Sequence, residues 1–350
     1  MPELPEVETV RRGLADLVVG HTIVGVDVLN PASLSASAPL DGARVTAARR
    51  RAKMLMLDLD DGRCLAIHLK MTGQLVVRNS GDGSYCSPAF GDGSPGSSSV
   101  SGATVGTVPT VHGSLSASGA TVGTVPTVHG SPSDPDATVG TVPTVRWGGG
   151  HPSDSLIGEL PDRSTRVVFG LDNGARLFFN DQRKFGWIRA VPRGVADEWA
   201  AGYGPEPMDD DAWPRFRGLV RRHERTVVKA ALLDQGVVAG IGNIYADEAL
   251  WAARVHPAAR VGALSDRALH RVLDAAAAVM ELSIELGGST DRNYVDAEGR
   301  RGAYLDFAQV FRREGQPCRR CGTTIVKTRV AGRGTHLCPR CQRLPRVGLR

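Results

Sequence analysis

Four cysteines near the end of the chain restrict its fold more than any other feature of the sequence. Cys318 and Cys321 form one C-x2-C pair, Cys338 and Cys341 form a second, and residues 322–337 lie between the pairs. This spacing is typical of a tetrahedral zinc site with four thiolate ligands. Such a site is structural, because four protein ligands leave no coordination position open. A pair of structural disulfides is the alternative.

The sequence shows no apolar signal segment, so we expect a reducing cytoplasmic compartment, in which disulfides are rare. It also has no uninterrupted apolar stretch long enough to span a bilayer, and we expect no membrane partner. Nothing in the sequence indicates an oligomer, and we expect a monomer. The sequence therefore favours one structural Zn²⁺ ion over disulfides.

The residues around the cysteines are basic. From Arg312 to Arg350 the sequence has eleven lysines and arginines and one acidic residue, Glu314. A run of like charge is commonly a solvated face. Beside a zinc-stapled hairpin whose loop carries Arg329 and Arg333, it predicts contact with nucleic-acid phosphates. We expect such binding to weaken steeply with salt, because condensed counterions are released.

The start of the chain, Met1-Pro2-Glu3-Leu4-Pro5-Glu6, carries a second chemical signal. Removal of Met1 would expose a secondary amine on Pro2, and α-amino groups titrate close to neutral pH. Such an amine can attack a sugar carbon and form a covalent iminium. Glu3 and Glu6 share one face of a helix, where they can exchange protons beside the nucleophile. An ordinary helix start with acids near its positive end is the alternative.

A glycine-containing turn between two predicted helices is the third signal. The segment from Lys229 to Gly236 is typical of a helix end, and Ile244–Trp251 is typical of a second helix with Asn243 as its cap. Free N–H groups at that second helix start would face an anion such as a DNA phosphate. A buried helical hairpin in which Asn243 is a satisfied cap is the alternative.

Together these three segments resemble the formamidopyrimidine-DNA glycosylase family, the bacterial 8-oxoguanine DNA glycosylase/AP lyases. The Pro2–Glu8 start, the Ala239–Leu250 turn and helix, and the Cys318–Cys341 finger stand in that family's order. Three shorter segments also look like family segments: Arg50–Lys53, His68–Gly73 and Asn180–Gly186. The resemblance covers nearly all of the chain except the stretch between Asn79 and Arg163.

The resemblance implies a catalytic role for four residues. Pro2 would attack the deoxyribose C1′, Glu3 would assist ring opening and proton transfer, and Glu6 would support the same site. Lys53 would hold a phosphate next to the lesion. The implied partner is double-stranded DNA that contains oxidised bases or abasic sites.

Six further residues would bind the DNA. The implied phosphate contacts are His68, Asn243 and Arg333, and the residues that fill the gap left by a flipped nucleotide are Met71, Arg183 and Phe185. In that role Arg183 would read the opposite cytosine. Flipping costs a few kcal/mol of stacking and pairing, which an apolar wedge partly offsets. Without the resemblance, Met71 and Phe185 read as core residues and His68 as a buried strand residue.

The pattern of the chain predicts an α+β fold. Residues 1–190 predict a β-sandwich domain behind an opening helix at Val7–Val19. The predicted strands are Thr22–Leu29, Leu55–Leu59, Cys64–Leu69, Leu75–Val77, Arg166–Leu171, Arg176–Phe179 and Trp187–Ala190. The pattern also predicts a linker at residues 191–208 and a helical domain at 209–290. The resemblance implies that this domain is of the helix–two-turns–helix type, that residues 291–315 form a lesion-recognition loop region, and that the zinc finger spans 316–344. DNA would lie in the cleft between the two domains.

A repeat interrupts the first domain. The sequence ATVGTVPTV begins at Ala103, Ala120 and Ala137, a period of 17 residues, within a low-complexity stretch at about 80–162. We interpret it as a disordered or loosely β-like insert between two strands, because closure entropy grows slowly with loop length. A partner-binding arm is the alternative.

Two segments depart from the family pattern. No histidine stands in Pro161–Thr165, where the family often has one. At Phe311 and Arg312 the family usually shows Tyr-Gly, so this chain lacks a hydroxyl and a flexible residue there. We expect both departures to leave the chemistry intact and to affect recognition of the damaged base.

The sequence therefore predicts a base-excision-repair glycosylase that removes oxidised purines (8-oxoguanine and formamidopyrimidines) through a Pro2 Schiff base and cleaves the abasic strand by β,δ-elimination. The related endonuclease VIII enzymes share the three motifs and prefer oxidised pyrimidines, but Leu4 and the Met71, Arg183 and Phe185 set favour the purine enzyme. A zinc-finger damaged-DNA-binding protein without catalysis is the other alternative, which the intact Pro2-Glu3 start disfavours.

Overall fold

A computed structural model of the chain describes residues 2–79, 145–150, 159–289 and 302–344. The three repeat copies lie outside the described residues, except for Val145, the last residue of the third copy. Residues 290–301, which include the first eleven residues of the predicted lesion-recognition loop region at 291–315, also lie outside them.

The described residues from 2 to 192 form one α-helix and two five-stranded sheets. Helix α1 spans Leu4–Val18. The strands are β1 (Ile23–Val28), β2 (Leu34–Ala36), β3 (Val45–Arg51), β4 (Met54–Leu59), β5 (Arg63–His68), β6 (Gly73–Asn79), β7 (Val145–Gly150), β8 (Thr165–Leu171), β9 (Ala175–Asp181) and β10 (Trp187–Pro192). One sheet has the order β1-β8-β9-β6-β7 and the other has the order β2-β10-β5-β4-β3. The predicted β-sandwich is confirmed.

All seven predicted strands are present, and their ends lie within two residues of the prediction. The pattern missed β2, β3 and β7. Strand β3 ends in three consecutive arginines, Arg49–Arg51, which obscure the alternation of apolar and polar residues that marks a strand. Each of these side chains pairs with a carboxylate. Helix α1 begins at Leu4 rather than Val7, because Glu3 and Glu6 form a capping box around its first turn.

The apolar face of α1 joins the core of the sandwich. Val7, Val10 and Leu14 are fully buried against inward-facing strand residues such as Phe179. Leu4, one turn earlier, belongs to the core of the helical domain instead. The start of α1, where the catalytic residues are predicted, therefore lies where the two cores meet.

Part of the predicted insert is a strand. Val145 begins β7 (Val145–Gly150), which pairs with β6 in antiparallel register and forms the edge of its sheet. This part of the insert thus extends the sandwich.

The predicted linker at 191–208 contains a helix. Helix α2 spans Arg193–Ala201, and its Ala196 is fully buried with Met54, Met56 and Cys64 on the outer face of the second sheet. Of the Pro and Gly residues that suggested a linker, Pro192 precedes the helix, Gly194 lies in its first turn and the others follow it. Cys64 is a core residue, as predicted.

The second half of the chain is helical. Its helices are α3 (Ala212–Val220), α4 (Val228–Leu233), α5 (Asn243–Ala252), α6 (Asp266–Glu285) and the short α7 (Tyr304–Phe307). They bury one common core, which includes Leu232, Tyr245 and Leu269. Helix α4, the turn and α5 confirm the helix–two-turns–helix prediction.

A hairpin completes the described chain. Strands β11 (Val326–Val330) and β12 (Arg333–Leu337) pair in antiparallel register across a turn at Ala331 and Gly332, both at positive φ. The hairpin carries Arg333 at its tip and leads into the second cysteine pair. None of the described helices is both long and apolar enough to cross a bilayer.

Candidate active site

Glu3 caps helix α5 from the other domain. Its carboxylate accepts hydrogen bonds from the backbone N–H groups of Gly242 at 2.7 Å and Ile244 at 3.0 Å. The cap position of α5 is Gly242, and Asn243 is the first residue of the helix. The prediction that Asn243 caps α5 is therefore wrong, and N–H groups predicted to face a DNA phosphate bind Glu3 instead.

The approach of Glu3 to the turn requires a glycine. A Cβ atom on Gly242 would lie 2.3 Å from the Glu3 carboxyl carbon, far inside van der Waals contact. Glu3 is 3% exposed, and burial raises the pKa of its carboxyl to about 7, although the charge of Lys53 opposes that shift. A carboxyl group that titrates near neutral pH can both donate and accept a proton during a reaction.

Pro2 precedes this carboxyl directly and is buried. Its ring stands at the junction of the two domains, because Glu3 is tied to α5 and the backbone N–H of Leu4 donates to the carbonyl of Gly240 at 3.1 Å. The amine that removal of Met1 would free is therefore adjacent to a carboxyl whose pKa is raised to about 7.

Glu6 is bound by donors from three parts of the chain. One oxygen accepts from the Tyr245 hydroxyl at 2.6 Å and from the Ser289 backbone N–H at 2.8 Å, and the other accepts from the Glu3 backbone N–H at 2.7 Å. Burial raises the pKa of Tyr245 well above its ordinary value, so its phenol stays a donor. Glu6 thus links α1, α5 and the residue that precedes the undescribed loop at 290–301.

Lys53 lies between β3 and β4 and reaches across the domain junction. Its Nζ donates to the carbonyl of Ile241 at 2.8 Å, and the side chain is 5% exposed. Burial lowers the pKa of Lys53, and the nearby charges of Glu3 and Glu6 oppose the shift. The structure thus brings Glu3, Glu6 and Lys53 together, as the resemblance implied.

A carboxylate that the sequence reasoning missed holds the turn that carries Lys53. Glu206 accepts from the backbone N–H of Ala52 at 2.7 Å and pairs with Arg50 at 2.8 Å. Ala52 has φ of 53°, which an alanine adopts only where neighbouring contacts impose it. Glu206 lies in the segment at 191–208 that the sequence predicts to be a linker, so no local sequence pattern connects it to Lys53.

His68 ends β5 and is neutral at physiological pH. Burial lowers its pKa to about 4, helped by the charges of Lys70 and Lys53. The backbone N–H of Lys70 donates to Nδ1 at 3.0 Å, which assigns the proton of the neutral ring to Nε2. His68 is therefore placed to offer one N–H donor to an anion without carrying a charge.

Met71, Arg183 and Phe185 come together on the surface. Arg183 Nη1 lies 3.0 Å from the Met71 sulfur, and its guanidinium lies 4.9 Å from the centre of the Phe185 ring. Met71 is 41% exposed and Phe185 is 53% exposed. The alternative that these two are core residues is therefore wrong.

Asn243 and Arg333 meet at the zinc hairpin. The Asn243 amide Nδ2 donates to the carbonyl of Gly334 at 3.1 Å, whereas its Oδ1 is buried and has no hydrogen-bond partner. Arg333, one residue earlier in β12, is exposed. The charge of Arg333 lowers the pKa of Lys53, so the hairpin tip lies near the turn that carries Lys53.

A buried ion pair fixes the hairpin to the helices. Lys229 and Asp247 are fully buried and paired at 2.6 Å. Lys229 also donates to Thr335 Oγ1 at 2.8 Å, and Asp247 accepts from the backbone N–H of His336 at 2.9 Å. Sequence reasoning treated Lys229 only as part of a helix end, since its partners lie 18 and 106 residues away.

The four cysteines form a zinc site. Their sulfurs lie within 4.8 Å of one another, and the closest separations are 3.4, 3.5 and 4.0 Å. A tetrahedral site with Zn–S bonds of about 2.3 Å has sulfur–sulfur edges of about 3.8 Å. The separations exceed the disulfide bond length of about 2.05 Å. Cys318, Cys321, Cys338 and Cys341 therefore fit one structural zinc ion, and the disulfide alternative is wrong.

The segment at Phe311 and Arg312 is held by a buried carboxylate. Glu248 accepts from the backbone N–H groups of Gln309, Val310 and Phe311 at 2.8 to 2.9 Å. Arg312 has φ of 58°, a conformation that favours the glycine of the family pattern. The Phe311 ring packs edge-on against His336 on the zinc hairpin.

Three family models match the chain in the order of its domains. They are the formamidopyrimidine-DNA glycosylase N-terminal domain at residues 1–96, the formamidopyrimidine-DNA glycosylase H2TH domain at 203–294, and the zinc finger found in FPG and IleRS at 315–344. The formamidopyrimidine-DNA glycosylase of Chloroflexus aurantiacus is 34% identical over 98% of each chain.

Solved structures are also similar. The Lactococcus lactis Fpg in complex with DNA that contains an abasic site has a TM-score of 0.68 and 26% identity, over 97% of this chain and 99% of that one. A Lactococcus lactis FPG mutant in complex with Fapy-dG DNA has a TM-score of 0.69 and 27% identity, over 98% and 100%. With three family models and a relative above 30% identity along nearly its whole length, the chain belongs to the formamidopyrimidine-DNA glycosylase family.

Proposed function

We propose that this protein is a bifunctional DNA glycosylase and AP lyase that excises oxidised purines from double-stranded DNA in the bacterial cytoplasm. The observation that supports it most is the group of Glu3, Glu6 and Lys53 beside the second residue of the chain, at the junction of the domains. The Lactococcus lactis relatives bind abasic-site DNA and Fapy-dG DNA, the substrate class that this chemistry requires.

The first step is base excision. The Pro2 nitrogen, freed by loss of Met1, attacks C1′ of the flipped nucleotide, and the glycosidic bond breaks with its electron pair leaving on the base. The proton that the amine loses after attack passes to the departing base and neutralises it. Glu3, whose pKa is near 7, supplies a proton to the sugar ring oxygen as the ring opens. The product is an iminium between Pro2 and C1′.

The second step is strand cleavage. The iminium withdraws electrons from C2′, so a proton leaves C2′ and the C3′–O bond breaks by β-elimination. A further proton loss then breaks the C5′–O bond by δ-elimination. Deprotonated Glu3 accepts a proton in this phase, and hydrolysis of the iminium regenerates the Pro2 amine. Glu6 keeps Glu3 in place, because it accepts the Glu3 backbone N–H.

The remaining predicted residues hold the DNA. Lys53, His68 and Arg333 supply donors for phosphates on either side of the flipped nucleotide, and Met71, Arg183 and Phe185 form one exposed cluster that can occupy its place in the stack. The zinc site stiffens the hairpin that presents Arg333.

Borohydride trapping tests this proposal. The full-length protein should form a covalent adduct with an 8-oxoguanine duplex, and Pro2→Gly should form this adduct much more slowly or not at all. Adduct formation by Pro2→Gly at the wild-type rate would show that another nucleophile acts. A parallel excision assay on thymine glycol distinguishes the endonuclease VIII preference, and tight abasic-site binding without nicking would support a non-catalytic protein.

A further inference from the structure

Two loops that carry the exposed cluster meet at the end of one strand ladder. Gly73 begins β6, Asp181 ends β9, and these two residues are partners in the last rung. Met71 lies two residues before that rung and Arg183 lies two residues after it. Antiparallel pairing therefore places side chains that are 112 residues apart in sequence side by side.

Asp181 ties the two loops together. It is fully buried, and its Oδ1 accepts from the Thr72 hydroxyl of the first loop. The backbone N–H of Arg183 lies 3.2 Å from the same Oδ1, and the backbone N–H of Gly186 donates to Oδ2 at 2.6 Å. One carboxylate thus binds a residue next to Met71 and residues on both sides of Phe185.

Thr72 closes the link. Its hydroxyl oxygen accepts from the backbone N–H of Arg183 at 3.0 Å while it donates to Asp181. The far end of the second loop is equally confined, since a Cβ on Gly186 would lie 2.8 Å from the Phe179 ring and 3.2 Å from the carbonyl of His68. The loop therefore has little freedom to move relative to β5 and β9.

We propose that Asp181 and Thr72 are positioning residues that hold Met71, Arg183 and Phe185 as one rigid unit, and thereby set how well the enzyme fills the flipped-out gap and reads the opposite base. This inference rests on the proposed function. Neither residue is exposed enough to be the wedge itself, so each acts through the cluster.

A buried carboxylate is a costly means of shaping a turn. Desolvation of an ionised group is expensive unless hydrogen bonds satisfy it, and here donors from both loops do so. An amide at position 181 offers only one acceptor oxygen, and its NH2 group would face either the donors near Oδ1 or the N–H of Gly186. Asp181→Asn therefore loosens at least one loop while it leaves the fold and charge elsewhere unchanged.

The test uses three variants and one control. Asp181→Asn removes the two-sided acceptor, Thr72→Val removes the bridging hydroxyl at nearly constant shape, and Thr72→Ser keeps that hydroxyl. Asp172→Asn is the control, since it removes an exposed carboxylate from the β8–β9 turn at the opposite end of the sheet. Single-turnover excision is measured on duplexes with 8-oxoguanine opposite C and opposite A, and borohydride trapping is measured on a single-stranded abasic oligonucleotide.

We expect Asp181→Asn and Thr72→Val to lose about tenfold to a hundredfold in excision opposite C, because misplacement of a positioning group by about 1 Å has effects of this size. The ratio of the C rate to the A rate should move towards one. Trapping on the single strand, which has no gap to fill and no opposite base, should stay at the wild-type rate. Thr72→Ser and the control should behave as wild type.

The outcomes separate the two proposals. If wild-type protein fails to excise 8-oxoguanine opposite C from the duplex, the proposed function fails. If wild-type protein excises it and Thr72→Val keeps both the excision rate and the C-to-A ratio of wild type, the positioning role is overturned. Equal losses on the duplex and on the single strand would also overturn it, because they would indicate general damage to the protein.

Discussion

The raised pKa of Glu3 makes a specific prediction about stability. A carboxyl whose pKa is about 7 in the folded protein and about 4.5 in the unfolded chain binds more protons when folded across that interval. The free energy of unfolding therefore falls as pH rises from 4.5 to 7, and ionised Glu3 destabilises the protein at neutral and higher pH. Glu3→Gln removes this destabilising charge.

The magnitude follows from the two pKa values. Ionisation of Glu3 lowers the free energy of unfolding, relative to its value at low pH, by about 3 kcal/mol at pH 8 and by about 1 kcal/mol at pH 5.5. A Gln side chain has only one acceptor oxygen, so one N–H group at the start of α5 loses its partner, which costs about 1–3 kcal/mol at both pH values. This loss is the same at both pH values, so it cancels when the effects of the substitution at the two pH values are compared. The change in the free energy of unfolding caused by Glu3→Gln should therefore be about 2 kcal/mol more stabilising at pH 8 than at pH 5.5.

Urea unfolding of zinc-loaded protein at the two pH values measures this difference. Glu8→Gln is the matched control on the same helix. Hydrogen bonds from Arg11, Arg12 and Arg50 outweigh burial and lower the pKa of Glu8 to about 2. Its stabilising effect is complete above the unfolded pKa and is lost only as pH falls towards 2, so its removal costs the same at pH 5.5 and pH 8. The reasoning would be refuted if Glu3→Gln changed the free energy of unfolding equally at pH 5.5 and pH 8 while Glu8→Gln behaved as expected.

Three other predictions follow from single contacts. Lys229→Met leaves Asp247 buried without its cation and should lower the free energy of unfolding by about 3–5 kcal/mol; adding Asp247→Leu should recover most of that loss in urea titrations, and no recovery would contradict the pairing. Gly242→Ala places a Cβ against Glu3 and should slow borohydride trapping on abasic DNA by about tenfold or more, so a wild-type rate would show that the carboxyl position is unimportant. His68→Ala should weaken duplex binding by the same factor at pH 6 and pH 8, because the ring is neutral at both; a larger loss at pH 6 in anisotropy titrations would mean that the histidine binds as a cation.

Local patterns were sufficient for the parts of the fold that short segments determine. The cysteine spacing gave the zinc site, because all four ligands stand on one hairpin and its flanks. Alternating apolar residues between Asp-Gly and Asn-Gly turns gave seven strands. Strand β3 was missed, because two of the three arginines that end it, Arg50 and Arg51, pair with Glu206 and Asp209, more than 150 residues away.

The contacts of the active site were harder to foresee. The sequence indicated Glu3 and the turn before α5 as separate features, but nothing in either segment shows that Glu3 accepts hydrogen bonds from the N–H groups at the start of α5. The assignment of that role to Asn243 followed ordinary capping preference, which a carboxylate from another domain overrode. Asp181 and Glu206 were missed for the same reason, since each acts through backbone N–H groups that carry no sequence signal.

The central claim is that the nitrogen of Pro2 becomes covalently joined to the sugar of the lesion. Peptide mapping of the borohydride-trapped complex by mass spectrometry tests it most directly. The account predicts that the reduced sugar adduct is found on a peptide that begins at Pro2 and has lost Met1. An adduct on Lys53 or on any other lysine, in a preparation that nicks damaged duplex DNA, would contradict it.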